Sequence, residues 1–152
     1  KAKACRDVGA DVAINYKTQD FVEVVMDHTN KQGVNILLDM VGGSYIQRNL
    51  QSLAPDGRLV QIAFLQPSKV EVDWVSLMAK RLTFTGSTLR PRTAADKAQM
   101  AKELKQYVWP LLEAGTVKPV IHQVFDLAQA NLAHALMESS VHIGKIMLKV
   151  GD

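Results

Sequence analysis

The chain holds one cysteine, Cys5, so no internal disulfide framework is possible, and the usage fits a reducing compartment. Its four histidines, His28, His122, His134 and His142, form no i, i+4 pair and no Cys/His cluster, which excludes the usual zinc spacings. No apolar run is long enough to span a bilayer. Lys and Arg are scattered and the net charge is only +3, which argues against a nucleic-acid face. Repeats and low-complexity tracts are absent, and no Ser-His-Asp order suggests a hydrolase. What remains is 47% hydrophobic and 22% charged residues over 152 positions, enough for one soluble domain with a sizeable core.

What is present is a repeated pattern. Val34 to Gly43 reads VNILLDMVGG, an apolar run ending in two glycines. The run predicts a strand buried on both faces, as in a parallel sheet covered by helices. The glycines allow close backbone approach at the carboxyl end, where ligands bind in open α/β sheets.

The same alternation extends along the chain. Lys1 to Val8 reads as a helix stopped at Gly9. Asp11 to Tyr16 reads as a strand, and Phe21 to Thr29 as a helix with Thr18 available as a cap. Helix Ser44 to Leu53, a turn at Pro55-Asp56-Gly57 and strand Arg58 to Phe64 follow. Asp73 to Lys80 reads as a helix capped by Asp73, and Leu82 to Ser87 as a strand. Thr93 to Ala114 is the longest helix candidate, with Pro110 imposing a kink or break. Pro119 to Phe125, Leu127 to Met137 and Lys145 to Val150 complete a strand, a helix and a strand. This alternation means an α/β fold with a parallel sheet. Asp39, at the end of a buried strand, reads as an acceptor of backbone hydrogen bonds rather than a general acid. The methionines read as core packing.

Asn15-Tyr16-Lys17, Leu38-Asp39-Met40-Val41-Gly42-Gly43-Ser44-Tyr45, Gly57-Arg58-Leu59-Val60 and His142-Ile143-Gly144-Lys145-Ile146 stand in one register. Together they resemble the medium-chain dehydrogenase/reductase superfamily, most closely its zinc-free NADPH:quinone oxidoreductases, the zeta-crystallin-like branch. The resemblance covers the whole chain and implies a partial Rossmann-like, doubly wound parallel sheet lacking its first two strands. Residues 1–115 would be the remainder of the dinucleotide-binding domain. Residues 116–152 would return to the catalytic domain. No G-x-G-x-x-G occurs. The chain opens Lys1-Ala2-Lys3 without Met, apparently inside a helix, and is expected to be an internal piece of a longer protein. On that alignment Asp11 to Tyr16 is separated from Val34 to Met40 by two empty places, so the piece alone is not expected to complete the native sheet.

The resemblance also implies a site. Lys1 and Tyr16 would contact the adenosine 2′-phosphate of NADPH. Two charge-assisted contacts of roughly 1.5–3 kcal/mol each would give on the order of a hundredfold preference over NADH. Val41, Gly42 and Gly43 would flank the nicotinamide ribose and pyrophosphate. Ile62, Ala63, Phe64 and Leu65 would line the nicotinamide. This chain departs from many family members there, which have a glycine in place of Ala63. Ser87, Thr88 and Leu89 would face the nicotinamide or a partner subunit. Ile143, Gly144 and Lys145 would form a turn approaching the cofactor. Arg90 is open to an anionic substrate or, the preferred reading, a neighbouring carboxylate. No metal and no catalytic acid or base is expected.

The implied reaction is hydride transfer from NADPH to a quinone or similar electron-poor enone, with the fragment alone inactive. The implied setting is a cytoplasmic homodimer joined through edge strand Leu82 to Ser87, with no membrane or nucleic-acid partner. Alternatives are a zinc-dependent alcohol dehydrogenase or enoyl reductase relative, a non-enzymatic nucleotide-binding module, and an interaction domain without cofactor.

Overall fold

Helices and strands alternate along the chain in the computed structural model, which describes residues 1–151. The elements are α1 (Ala2–Asp7), α2 (Phe21–His28), β1 (Val34–Asp39), α3 (Tyr45–Ser52), β2 (Leu53–Gln61), α4 (Val75–Ala79), β3 (Thr83–Gly86), α5 (Ala94–Glu103), α6 (Trp109–Glu113), β4 (Ile121–Asp126), α7 (Ala130–Glu138) and β5 (Lys145–Lys149). All strand pairs are parallel, as the alternation requires. Two compact units result: Val12–Thr93, and Lys1–Asp11 together with the residues from Ala94 onward.

In Val12–Thr93 the strands lie in the order β1-β2-β3. Leu37, Leu59 and Phe84 share one row, and Asp39, Gln61 and Gly86 the next such row on the same face. Leu37, Leu59 and Phe84 pack with Leu50 of α3, Leu53, Leu77 of α4 and Leu82. Leu50 and Leu59 are fully buried, and each such side chain contributes about 1.5–3 kcal/mol. The opposite rows are not covered: Ile36 is 71% and Leu38 62% exposed. The expectation of a strand buried on both faces is therefore corrected for β1. The helices that meet the core, α3 and α4, lie on the side of Leu37 and Leu59.

Other expectations are corrected as well. Asp11 to Tyr16 forms no strand. Its end is drawn into a turn: Gln19 Oε1 accepts from the Asn15 N–H, and Asn15 O accepts from Thr18 and Gln19. The α2 cap is Asp20, whose carboxylate accepts from the N–H groups of Val22 and Glu23, rather than Thr18. The strand beginning at Arg58 starts instead at Leu53, and Pro55-Asp56-Gly57 is an excursion within it. Val34 pairs with Leu53 but Ile36 with Arg58, and Asp56 takes φ 61°. That strand stops at Gln61, short of Phe64, because the chain then bends across the tip of β1. The long helix continues through Pro110 and is widened ahead of it: Leu104–Val108 is a π-helical turn between α5 and α6. A proline has no N–H to donate and crowds the preceding carbonyls, and widening the turn relieves both.

Candidate functional site at the carboxyl ends of the parallel strands

Asp39 organises the end of β1. It is buried, and its carboxylate accepts from the N–H groups of Val41 (2.6 Å) and Gly42 (3.1 Å) and from Asn49 Nδ2 (3.0 Å). This is the acceptor role its position predicts, and it ties the Val41-Gly42 turn to Asn49 in the middle of α3.

Gly42 and Gly43 both have positive φ, 67° and 57°. A Cβ on Gly42 would enter the Phe64 ring, and one on Gly43 the Gln66 side chain. The close approach that these glycines permit is thus made first by the chain's own 62–66 segment. That segment is tied across β1. Ile62 N–H donates to Asp39 O (2.8 Å) and Gln66 N–H to Val41 O (2.8 Å). Gln66 Oε1 accepts from Ser44 N–H (3.3 Å), and Gln61 Nε2 donates to Ala63 O (2.7 Å).

Beyond this turn lies a groove of about 450 Å³ lined by Ile14, Tyr16, Phe21, Val41, Tyr45, Leu65 and Gln66. The resemblance implies Tyr16, Val41 and Leu65 at the site; Phe21 and Tyr45 carry no site role in the sequence, although Tyr45 closes one of the motifs of the resemblance. Their rings stack at 5.4 Å between centroids, and the Arg48 guanidinium sits 4.3 Å from the Phe21 centroid. Arg48 also pairs with Asp20 at 2.9 Å. Desolvation pushes the Asp20 carboxyl up. Hydrogen bonds from Val22 N–H, Arg48 and Glu23 N–H outweigh it and hold the group below the usual carboxylate range. The aromatic wall of the groove is therefore clamped from behind by an ion pair.

The remaining expected residues are distributed as follows. Phe64 lines a second depression, of about 370 Å³, with Gln61, Phe84, Thr85 and Gly86. Ser87 and Thr88 line a third, of about 470 Å³, with Gly86, Pro91 and Arg92. Ile62, Ala63 and Leu89 line none of these three. Lys1, Gly144 and Lys145 belong to the other compact unit. There Lys1 Nζ donates to Ser140 O. Gly144, at φ 83°, lies where a Cβ would meet the Val120 backbone, and Lys145 N–H donates to Val120 O (2.7 Å). Among the described residues no group of three or more His, Cys, Asp and Glu side chains could hold a metal, and no helix is long and apolar enough to cross a membrane.

The apolar, aromatic-walled groove, with the exposed Tyr16 in its lining, lies at the carboxyl end of a parallel sheet, where ligands bind in open α/β folds. That arrangement is an α/β fold of Rossmann-like class.

Comparison with known proteins agrees. The model of the zinc-binding dehydrogenase family matches residues 8–148. A 2-haloacrylate reductase from Burkholderia sp is 30% identical over 97% of this chain and 44% of its own length. A quinone oxidoreductase from Rattus norvegicus is 26% identical over 92% of this chain and 41% of its own length. A solved NAD-dependent alcohol dehydrogenase superposes with a TM-score of 0.79 at 26% identity, over 99% of this chain and 41% of that one. The chain belongs to the zinc-binding dehydrogenase family, on the quinone oxidoreductase side of the medium-chain dehydrogenase/reductase superfamily. Members of this superfamily bind nicotinamide dinucleotides. The chain spans about two fifths of the length of the curated relatives it matches.

Proposed function

We propose that the whole protein transfers a hydride from NADPH to a quinone or a similar electron-poor enone. The observation that supports this reading is the groove in which Tyr16, Val41 and Leu65 meet at the carboxyl end of β1. When bound, the dinucleotide supplies the hydride from its nicotinamide C4. The chain's own residues bind and orient. Tyr16 offers a hydroxyl to the 2′-phosphate. The stacked Phe21 and Tyr45 rings give a flat apolar wall, and Asp39 holds the Val41-Gly42 turn in place. The tips Ile62 to Leu65 and Ser87 to Leu89 are assigned to the nicotinamide end. Lys1, Gly144 and Lys145 carry their cofactor roles on the resemblance alone.

No side chain is assigned as acid or base, since holding donor and acceptor in contact supplies much of the rate. We keep the reading zinc-free and cytoplasmic, with a homodimer through the β3 edge. Metal analysis of the purified protein and its mass in solution test the first and last. Because the chain spans 41–44% of its relatives, turnover is assigned to the whole protein, and the 152 residues alone are expected to show little or none.

The test is a fluorescence titration with NADPH and NADH. Tighter NADPH binding, by about tenfold or more, with Tyr16→Phe narrowing the difference, supports the reading. Equal affinities would move the assignment to NAD, the cofactor named for the alcohol dehydrogenase above. A flat titration would remove the cofactor altogether. A second acceptor class is favoured by the Burkholderia relative, whose name specifies a haloacrylate. Quinones, enones and acrylates share an electron-poor conjugated alkene or carbonyl. A substrate panel on the whole protein separates them.

A further inference from the structure

Gln61, the last residue of β2, is 6% exposed and stands in one row with Asp39 and Gly86. We propose that Gln61 is a positioning residue for hydride transfer: its side-chain amide fixes the Ala63–Phe64 peptide in the strand tip assigned to the nicotinamide. This rests on the reading above that residues 62–65 meet that ring, and it names the group that holds them.

The tip is tied at both ends by backbone bonds and in its middle by Gln61. Ile62 N–H donates to Asp39 O, Leu65 N–H to Met40 O and Val41 O, and Gln66 N–H to Val41 O. Between them, among the described residues, the backbones of Ala63 and Phe64 bond to no other backbone group. The Ala63 carbonyl accepts instead from Gln61 Nε2, at 2.7 Å. A peptide unit is planar and trans, so drawing that carbonyl toward Gln61 turns the Phe64 N–H away from it. One side-chain bond thereby sets how the middle of the tip is presented. The same Nε2 lies 3.4 Å from Asp39 O, and the Gln61 carbonyl accepts from Ser87 N–H at 3.0 Å. Gln61 is therefore the junction of the tips of β1, β2 and β3.

The amide lowers stability where it stands. The Asp39 carboxylate in the same row accepts from Val41, Gly42 and Asn49, whereas Gln61 Oε1 is buried with no partner. Reversing the amide would set Oε1 against two carbonyl oxygens, so its orientation is forced. A buried unpaired acceptor is destabilising, and an apolar side chain of similar volume would remove that penalty. A local rule broken at a strand tip points to a use in the site.

The experiment compares Gln61→Met and Gln61→Glu with wild type in the whole protein, with NADPH and para-benzoquinone as probes. Gln61→Met keeps the volume and removes the donor. It is expected to unfold at the same or a higher urea concentration, to bind NADPH within about threefold of wild type, and to lower kcat about tenfold. Backbone amide relaxation by NMR should show added motion at Ala63 and Phe64 and none at Ile62, Leu65 and Gln66. Gln61→Glu has no donor while ionised and one when protonated, so its kcat should recover toward wild type as pH falls. The wild-type profile is the control for Asp39, the other titratable group in that row. An unchanged kcat in Gln61→Met would overturn the proposal, and so would unchanged relaxation at residues 63 and 64. A lower urea midpoint would make Gln61 a structural residue and overturn it, as would a Gln61→Glu defect that acid does not relieve. The two readings fail separately. If wild type binds no NADPH, the cofactor reading falls and this one with it. If wild type binds NADPH and turns over, and Gln61→Met matches it, only this one falls.

Discussion

The two compact units are written in the same alphabet of apolar strands and amphipathic helices, yet they bury their residues very differently. In Val12–Thr93, three strands and two helices close over Leu50, Leu53, Leu59 and Leu82. In the other unit, β4 and β5 form a two-stranded sheet, and Ala133 is its sole buried hydrophobic side chain among the described residues. Val124, an apolar strand residue like Leu59, is 56% exposed. The difference teaches that an apolar strand becomes core only when a layer of helices covers it. Within the first unit the same rule separates Leu37 and Leu59 from Ile36 and Leu38.

Four measurements test this contrast, from the largest expected effect downward. Leu59→Ala should destabilise its unit by about 2–5 kcal/mol in urea unfolding, since it leaves a cavity among Leu50, Leu53 and Leu82. Val124→Ala should stay within about 0.5 kcal/mol, as a surface change does. A comparable loss at both positions would mean that burial does not distinguish the units. Next, Gly144→Ala should cost about 1–3 kcal/mol and raise amide exchange in β4 and β5. The added methyl group meets the Val120 backbone at a φ of 83°. Unchanged exchange would show that the two strands do not depend on that close approach.

Third, Arg48→Met should weaken NADPH binding without altering the Leu59 core. It frees the Phe21–Tyr45 wall while retaining a long apolar side chain. The expected loss is several-fold, about 0.5–1 kcal/mol for an exposed cation–π contact. A loss of global stability equal to that of Leu59→Ala would instead make Arg48 a core residue.

The smallest effect is pH dependence at Asp20. Its folded pKa lies below the unfolded value, so its contribution is fully present above the unfolded pKa. It is lost as pH falls through the folded pKa, below about 4. Thermal scans between neutral and acid pH should show Asp20→Asn converging on the wild type at the acid end and falling short of it at neutral pH. A constant offset across that range would contradict the assignment.

Much of the first unit is legible in the residues. The VNILLDMVGG stretch announces a strand with a glycine turn at its carboxyl end, and Asp39 serves there as an acceptor. Tyr16, Val41 and Leu65 share one groove, while Ser87 lines a separate depression and Ile62 lines neither. Less legible are contacts that depend on neighbours distant in sequence. Phe21 and Tyr45 look like ordinary helix-face residues until Arg48 stacks them. The one local hint is that Tyr45 follows the Gly42-Gly43-Ser44 turn. Phe64 and Gln66 fill the space beside the glycines, which no reading of the glycines alone reveals. Arg92 lines one depression with Ser87 and Thr88 only through a turn whose closing bond is between backbone groups.

The order of elements, the parallel pairing and the family belong to the sequence, because each is written in local periodicity and in motifs a few residues long. Which face of β1 meets a core, where Asp11 to Tyr16 goes, and which side chains share a groove were decided by tertiary structure. Burial and pairing are properties of two surfaces brought together, and a single segment carries the code for only one of them.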